Sequence, residues 1–326
     1  MRLALLAVAV LLLSAVASSA QQDGGEEGVH PERPEVVLPL GAVDKEGRPF
    51  EGLKPEDLRV TVEGQPQNLR YFSRRTDEPL HVVIMLDASA SQEKLLPLVQ
   101  DAADQLVPAL LQRPNRNDAA VVSFTGSTTI VQDLTANAAT VRRAIATVEF
   151  VPPPGYIRGG VLVGRPNPND PAYRAGETAI WEALVNVCNE VFARAKPGRR
   201  AVVLVTDGVD TSSRLKLNEA VERLLREGVA VYGIGIGDEQ EFDGVNRKVV
   251  RKLAEQTGGR ALFPKKSKDL PSAFEQVQRE LLDSYTLKFA APPMQPGTSL
   301  KLRVELVNPE LRKQGVQLAY PQALFK

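Results

Sequence analysis

Four apolar runs without polar alternation, at 82–86, 119–124, 201–205 and 229–236, constrain this chain more than any other feature. A strand with one face in water alternates apolar and polar residues, whereas these four read as strands covered on both faces, as in a parallel sheet between two helical layers. Helical spacing fills the gaps between them. Leu95, Leu98, Val99, Ala102 and Leu106 recur every three or four residues, and Pro108 is expected to end or kink that helix. Ile180, Leu184, Val187, Cys188, Val191 and Phe192 repeat the pattern, as do Val221, Leu224 and Leu225 ahead of Gly228, a C-terminal stop. Cys188 lies on an apolar stripe and reads as a small buried hydrophobe. Two more helical patterns, 249–254 and 270–282, flank a strand near 261–263. The expected fold class is α/β, with a doubly wound, mostly parallel sheet over residues 79–284.

On either side the pattern changes. Short β-prone stretches at 36–40, 58–62 and 68–72 are separated by turn-rich segments at 44–49 and 63–65. After Asp283 alternation returns at Tyr285, Leu287 and Phe289, then at Leu300, Leu302, Val304 and Leu306, then at Val316 and Leu318. A short isolated meander is marginal in water, so segments 35–75 and 285–326 are expected to form one small antiparallel β domain built from both chain ends.

Residues 1–20 carry Arg2, an apolar run over 3–13 and small residues ending Ser18, Ser19, Ala20. The run is too short to span a bilayer and the small residues suit signal peptidase, so a signal peptide cleaved near Ala20 is expected. The product would be secreted or periplasmic, with no membrane span in the mature chain. Residues 21–34 hold almost nothing apolar and read as a flexible tail.

Composition narrows the chemistry. Forty Lys and Arg balance forty Asp and Glu, which leaves no global basic field to attract nucleic acid. Two His (His30, His81) and one Cys (Cys188) are too few for a His/Cys zinc site, a disulfide framework or a CxxC pair. A single Cys also fits an oxidising compartment.

The first buried strand runs out into Asp87, Ala88, Ser89, Ala90, Ser91, so that a carboxylate and two hydroxyls alternate as the chain leaves the sheet. The third strand ends in Thr206, Asp207, Gly208, which puts a second carboxylate at the same edge, and Thr178 opens a helix there. Each hydroxyl could instead serve as a helix N-cap. Taken together, two carboxylates and three hydroxyls suit a hard divalent cation, Mg²⁺ first, with Mn²⁺ or Ca²⁺ as alternatives. Two negative charges bring the ion only to about neutrality, leaving it able to accept one more carboxylate.

The DASAS, GET and TDG segments, in this order on alternating strands and helices, resemble the metal-ion-dependent adhesion site of von Willebrand factor type A domains, and the flanking β segments resemble those of secreted bacterial members. The resemblance covers residues 79–284. It implies that Ser89, Ser91 and Thr178 bind a metal directly, that Asp87 and Asp207 act directly or through water, and that an Asp or Glu of a protein partner completes the shell. Glu177 departs from the Gly that many relatives carry before the threonine, adding negative charge near the site.

Other signals are weaker. Gly233, Gly235 and Gly237 alternate within a buried strand and lack the helix start of a phosphate loop. His81 reads as a satisfied edge residue. Six Pro and four Gly between 151 and 175 mark a surface loop, on which Tyr156, Arg158 and Tyr173 are candidates to rim the metal face and select a partner. The expected function is a secreted, non-enzymatic adhesion module. The alternatives are a Mg²⁺ phosphohydrolase with Asp87 as nucleophile, and a metal-stabilised scaffold.

Overall fold

The computed structural model describes residues 34–74, 78–112, 117–153, 155–157, 161–162, 176–237 and 244–325. The candidate signal peptide and tail lie outside them, as do Arg158 and Tyr173. Along the chain, β1 (Glu35–Val43), β2 (Leu58–Val62), β3 (Gln65–Gln67) and β4 (Leu69–Arg74) come first. The α/β portion follows: β5 (Leu80–Asp87), α1 (Leu96–Leu110), β6 (Asn117–Phe124), β7 (Thr128–Thr135), α2 (Ala138–Ala146), the short β8 (Tyr156–Ile157) and β9 (Val161–Leu162), and α3 (Ile180–Asn186). It continues through β10 (Arg199–Thr206), α4 (Leu217–Arg226), β11 (Val229–Gly235), α5 (Arg247–Thr257), β12 (Ala261–Leu262) and α6 (Leu270–Leu282). The last elements are β13 (Tyr285–Ala290), β14 (Ser299–Leu306), α7 (Pro309–Lys313), β15 (Gln317–Ala319) and β16 (Ala323–Phe325).

The central sheet has six strands in the order β12-β11-β10-β5-β6-β7, all parallel except β7, which pairs antiparallel with β6. The continuous apolar runs supply its middle. Every residue of β5 is buried, with helices α1, α2 and α6 on one face and α3, α4 and α5 on the other. Two apolar cores result, one around Ile84, Leu106, Val203 and Phe274, the other around Met85, Phe124, Leu204 and Phe192. Each fully buried aliphatic side chain contributes about 1.5–3 kcal/mol, so the sheet needs no ligand to hold its shape.

The segments at the two chain ends form two four-stranded sheets, β15-β1-β13-β4 and β16-β14-β2-β3. Their inner faces share a third core, in which Leu38, Leu40, Leu287 and Phe289 meet Val60, Val62, Leu302 and Val304. Tyr285 ties it together. Its hydroxyl donates to Phe50 O at 2.7 Å and accepts from Leu53 N at 3.3 Å, while its ring stacks on Phe72 with centroids 5.2 Å apart.

Several local expectations need correction. Pro108 neither ends nor breaks α1, which continues to Leu110. The proline is exposed, so the hydrogen bond it cannot make lies on the solvent side, while buried Val107 and Leu110 hold the last turn against the core. The turn after β2 is tighter than the 63–65 reading: Glu63 and Gly64 take φ of 49° and 77°, and Gln65 already pairs with Val62. This is the short hairpin geometry that glycine permits. His81 is not a satisfied edge residue. It is buried in a central strand, with Nδ1 2.7 Å from Asp118 Oδ1 and Nε2 without a partner.

The helix that begins with α3 widens into a π turn at Val187–Val191, and Cys188 is completely buried there. Burial, reinforced by the Glu227 carboxylate, pushes its thiol up to about 12. The native protein is therefore expected to resist iodoacetamide at pH 8 and to be labelled at Cys188 only after denaturation, as followed by intact mass. Rapid labelling of the native protein would show that this helix opens.

Candidate metal centre

β5 delivers Asp87 to the carboxyl edge of the sheet, and Ala88 N still bonds to Phe124 O at 2.9 Å, so the chain stays in line with β6 for one more residue. It then turns at Ala90–Gln92 with Ser89 extended, at φ −71° and ψ 169°. Ser89 gives both its backbone N–H (3.0 Å) and its hydroxyl (2.6 Å) to Asp87 Oδ1. No side-chain cap bond comes from Ser89, so its hydroxyl is not spent on the following turn.

From the neighbouring strand β10, Thr206 Oγ1 donates to Asp87 Oδ2 at 2.6 Å, and the next residue, Asp207, accepts from Ser91 Oγ at 2.6 Å. Ser89 Oγ and Ser91 Oγ are 3.2 Å apart. A hydroxyl has one proton and two lone pairs. With both protons directed at carboxylates, the remaining lone pairs of these serines are crowded together, met only by the Gln92 Nε2 amide at 3.5 Å from Ser91 Oγ, an arrangement that a cation relieves.

Asp87 and Asp207 are each 3% exposed, and Gln92 Nε2 reaches Asp207 Oδ2 at 3.3 Å from a side chain that is 2% exposed. Burial and, after it, the Asp207 charge push the Asp87 carboxyl up to about 7, against the opposing hydrogen bonds from Ser89 and Thr206. Two buried carboxylates facing each other are costly unless a positive charge joins them. Among the described residues no group of three or more His, Cys, Asp or Glu that could hold a metal is found, at this edge or away from it, and the donors gathered here are two carboxylates and the hydroxyls of Ser89 and Ser91. That set fits Mg²⁺, Mn²⁺ or Ca²⁺ better than a soft metal.

The structure thus brings Asp87, Ser89, Ser91 and Asp207 into one hydrogen-bonded chain. Thr178 reaches the same edge through its backbone: its N–H donates to Thr211 Oγ1 at 2.8 Å, and its carbonyl accepts from Thr211 N and Ser212 N. It makes no hydrogen bond with the other four. It is also not the cap of α3. That role falls to Asp210, whose Oδ2 accepts from Ile180 N at 2.8 Å, and to Ser213 Oγ, which accepts from Trp181 N at 3.1 Å. The Thr178 side chain, 4% exposed, is thereby left out of the capping.

Sequence reading missed Thr206, Gln92 and Asp210. A signal existed for the first and last, since Thr206 immediately precedes Asp207 and Asp210 heads a D-T-S-S run of the kind that caps helices. Gln92 carried none. Gly208 has φ +76°, and a Cβ there would come within 2.6 Å of Val250 Cγ2, so the turn after Asp207 requires glycine. Gly233 and Gly235 serve packing, because a Cβ would meet Val250 at 2.5 Å and Phe263 at 2.6 Å respectively. Of the rim residues, Tyr156 donates its hydroxyl to Glu93 Oε2 at 2.6 Å and packs edge-on to Phe150, which places it beside the Ser91 turn.

Residues 169–276 match the model of the von Willebrand factor type A domain. The match contains Thr178 and Asp207 and begins after the Asp87 loop. No curated protein matches the chain. Among solved structures, proximal thread matrix protein 1 from the mussel byssus is similar with a TM-score of 0.50 at 20% identity, over 68% of this chain and 51% of that one. A von Willebrand factor type A protein from Catenulispora acidiphila gives 0.49 at 13% identity, over 91% of this chain and 75% of that one. The mussel protein with a zinc-occupied MIDAS motif gives 0.47 at 18% identity, over 63% and 48%. This chain spans about half the length of the mussel protein. At these identities the likeness speaks to fold alone.

Proposed function

We propose, for a chain that belongs to the von Willebrand factor type A family through its central α/β domain, a role as a secreted or periplasmic, non-enzymatic binding module. Its metal-ion-dependent adhesion site would engage an acidic side chain of a protein partner. The observation that carries this reading is the hydrogen-bonded chain Asp87–Ser89–Ser91–Asp207, with its surplus of negative charge and lone pairs at one sheet edge. Asp87, Ser89, Ser91, Thr178 and Asp207 would hold Mg²⁺, or Mn²⁺ or Ca²⁺. When bound, the ion supplies a Lewis-acidic position for a carboxylate from outside.

The chain's own residues orient that site. Thr206 and Ser89 fix the two oxygens of Asp87, Ser91 and Gln92 fix Asp207, and the backbone clasp of Thr211 and Ser212 fixes Thr178. Tyr156, held by Glu93, is the one of the three rim candidates that lies among the described residues, and it would touch a partner there. The phosphohydrolase alternative has less support. Both Asp87 oxygens are already engaged, and Ser89 stands two residues on, where that chemistry requires an acid. Among the described residues no helix is long and apolar enough to cross a membrane.

The test is capture of extracellular proteins on the immobilised full chain in Mg²⁺. Partners are expected to elute with EDTA and to be absent from an Asp207→Ala column. Retention that ignores both EDTA and the substitution would leave only the scaffold reading.

A further inference from the structure

One flank of the metal edge carries positive charge that the fold itself does not use. Between 247 and 268 stand eight Lys and Arg against one acid, Glu255, in a chain whose charges balance over its full length. Arg260 is paired with Glu280 at 3.0 Å. The others, Arg247, Lys248, Arg251 and Lys252 of α5 and Lys265, Lys266 and Lys268 after β12, are exposed, and none of them pairs with a carboxylate among the described residues.

Topology brings both groups to the edge that holds Asp207. α5 begins there, since Asn246 N donates to Asp207 O at 2.7 Å and Arg247 and Lys248 are the first residues of the helix. β12 runs parallel to β11, so the chain leaves it at the same edge, through Phe263 into the three lysines. The lateral distance is short: β12 lies two strands from β10, about 10 Å across the sheet. Phe263 joins the groups, with the guanidinium carbons of Arg247 and Arg251 at 5.1 and 5.5 Å from its ring centroid. The ring is itself seated on β11, where a Cβ at Gly235 would come within 2.6 Å of it.

These placements weaken the helix. Cations in the first turn face the positive end of the helix dipole, and like charges four residues apart, as in Arg247 with Arg251 and Lys248 with Lys252, repel. The Phe263 face offsets part of that repulsion and holds the two guanidinium groups side by side. Charges that weaken an element and serve no contact in the fold are expected where a surface has a partner. Guanidinium groups engage carboxylates through paired N–H donors, and lysines add point charges around them. We propose that α5 and residues 263–268 form a docking face for an acidic segment of protein, continuous with the segment whose carboxylate the metal edge would take; that continuity rests on the metal-site reading above. Nucleic acid suits the face less well, because Phe263, the only aromatic residue of the stretch, is covered by its two arginines and does not offer a base a stacking surface. The acidic run at 238–243 precedes α5 in the chain and lies outside the described residues.

A fluorescein-labelled deca-glutamate peptide, followed by anisotropy with the full chain in millimolar Mg²⁺, tests this. The peptide is expected to bind, with an affinity that falls as salt rises to physiological strength, where charges are screened beyond about 8 Å. Arg247→Gln with Arg251→Gln should weaken it at least about 10-fold, as follows from losing two charge-assisted contacts. Lys265→Gln with Lys266→Gln should weaken it less, because each lysine supplies only a point charge. Mg²⁺ affinity should not fall in either variant, since removing positive charge does not repel a cation. EDTA and Asp207→Ala should each remove a further part of the peptide's affinity. If they change nothing while the arginine variant still loses binding, the docking face stands and the metal reading falls. Loss on EDTA with unaltered binding by the arginine variant would overturn the docking face alone. Tighter binding of a heparin fragment or of oligothymidylate than of deca-glutamate would overturn the choice of a protein segment. Peptide binding that appears only after Asp238, Glu239, Glu241 and Asp243 are replaced by their amides would assign the face to the chain's own acidic run and overturn a partner there, as would no binding in either protein.

Discussion

Asp207→Ala is expected to weaken Mg²⁺ binding by at least the roughly 10- to 100-fold that even outer-sphere losses cause. The carboxylate is, with Asp87, one of the two in the hydrogen-bonded chain of the site, and it accepts the Ser91 proton at 2.6 Å and a Gln92 amide proton at 3.3 Å. Its removal takes a charge from the site and frees Ser91 to turn away from Ser89, so the effect is both electrostatic and geometric. The fold should persist, because the two cores beside the sheet are apolar and lie below this edge. Circular dichroism and urea midpoints close to wild type would confirm that. Calorimetric titration with Mg²⁺ supplies the decisive comparison: equal affinities in the two proteins, or no binding to wild type at millimolar metal, would leave the motif as turn residues. Thr178→Val, which removes only an uncharged oxygen, should cost less than Asp207→Ala.

What was legible in the sequence, and what was not, follows from the range of the interactions. The strands β5, β6, β10 and β11 appear as uninterrupted apolar runs because helices cover both of their faces. The edge strand β7 left no such trace, since all but one of its residues are half-buried and its polar and apolar positions do not alternate cleanly. Strands at both chain ends could be seen, but not their partners. β1 and β2 join different sheets, pairing with β13 and β14 across more than two hundred residues, and a pairing that distant has no local signature. The site divides in the same way. Asp87, Ser89, Ser91 and Asp207 stand in two short motifs, whereas Gln92 and Asp210 act across loops that only the folded chain brings together. Asp210 matters most for the reading of Thr178, because a capping role for the threonine was the competing explanation and the carboxylate takes it over.

Tyr285→Ala is expected to cost about 3–5 kcal/mol, the range for truncating a large aromatic in a well-packed core. This side chain is 2% exposed, stacks on Phe72 of β4 and bonds through its hydroxyl to the backbone at Phe50 and Leu53, so it joins the trailing segment to three points of the leading one. Tyr285→Phe keeps the ring and leaves the Phe50 carbonyl and Leu53 N–H without this partner, for a smaller loss of about 1–3 kcal/mol. Urea unfolding followed by far-ultraviolet circular dichroism gives both values. We propose that segments 35–75 and 285–326 unfold as one domain, since each sheet contains strands from both. On that basis, limited proteolysis of Tyr285→Ala should open the leading segment and the trailing segment together, at the same protease concentration. Cleavage confined to the trailing segment, with 35–74 as protected as in wild type, would mean that the leading strands are held by the α/β portion and not by their sandwich partners. Mg²⁺ affinity should survive the substitution, because Tyr285 begins its strand directly after α6, at the end of the parallel sheet away from Asp87 and Asp207.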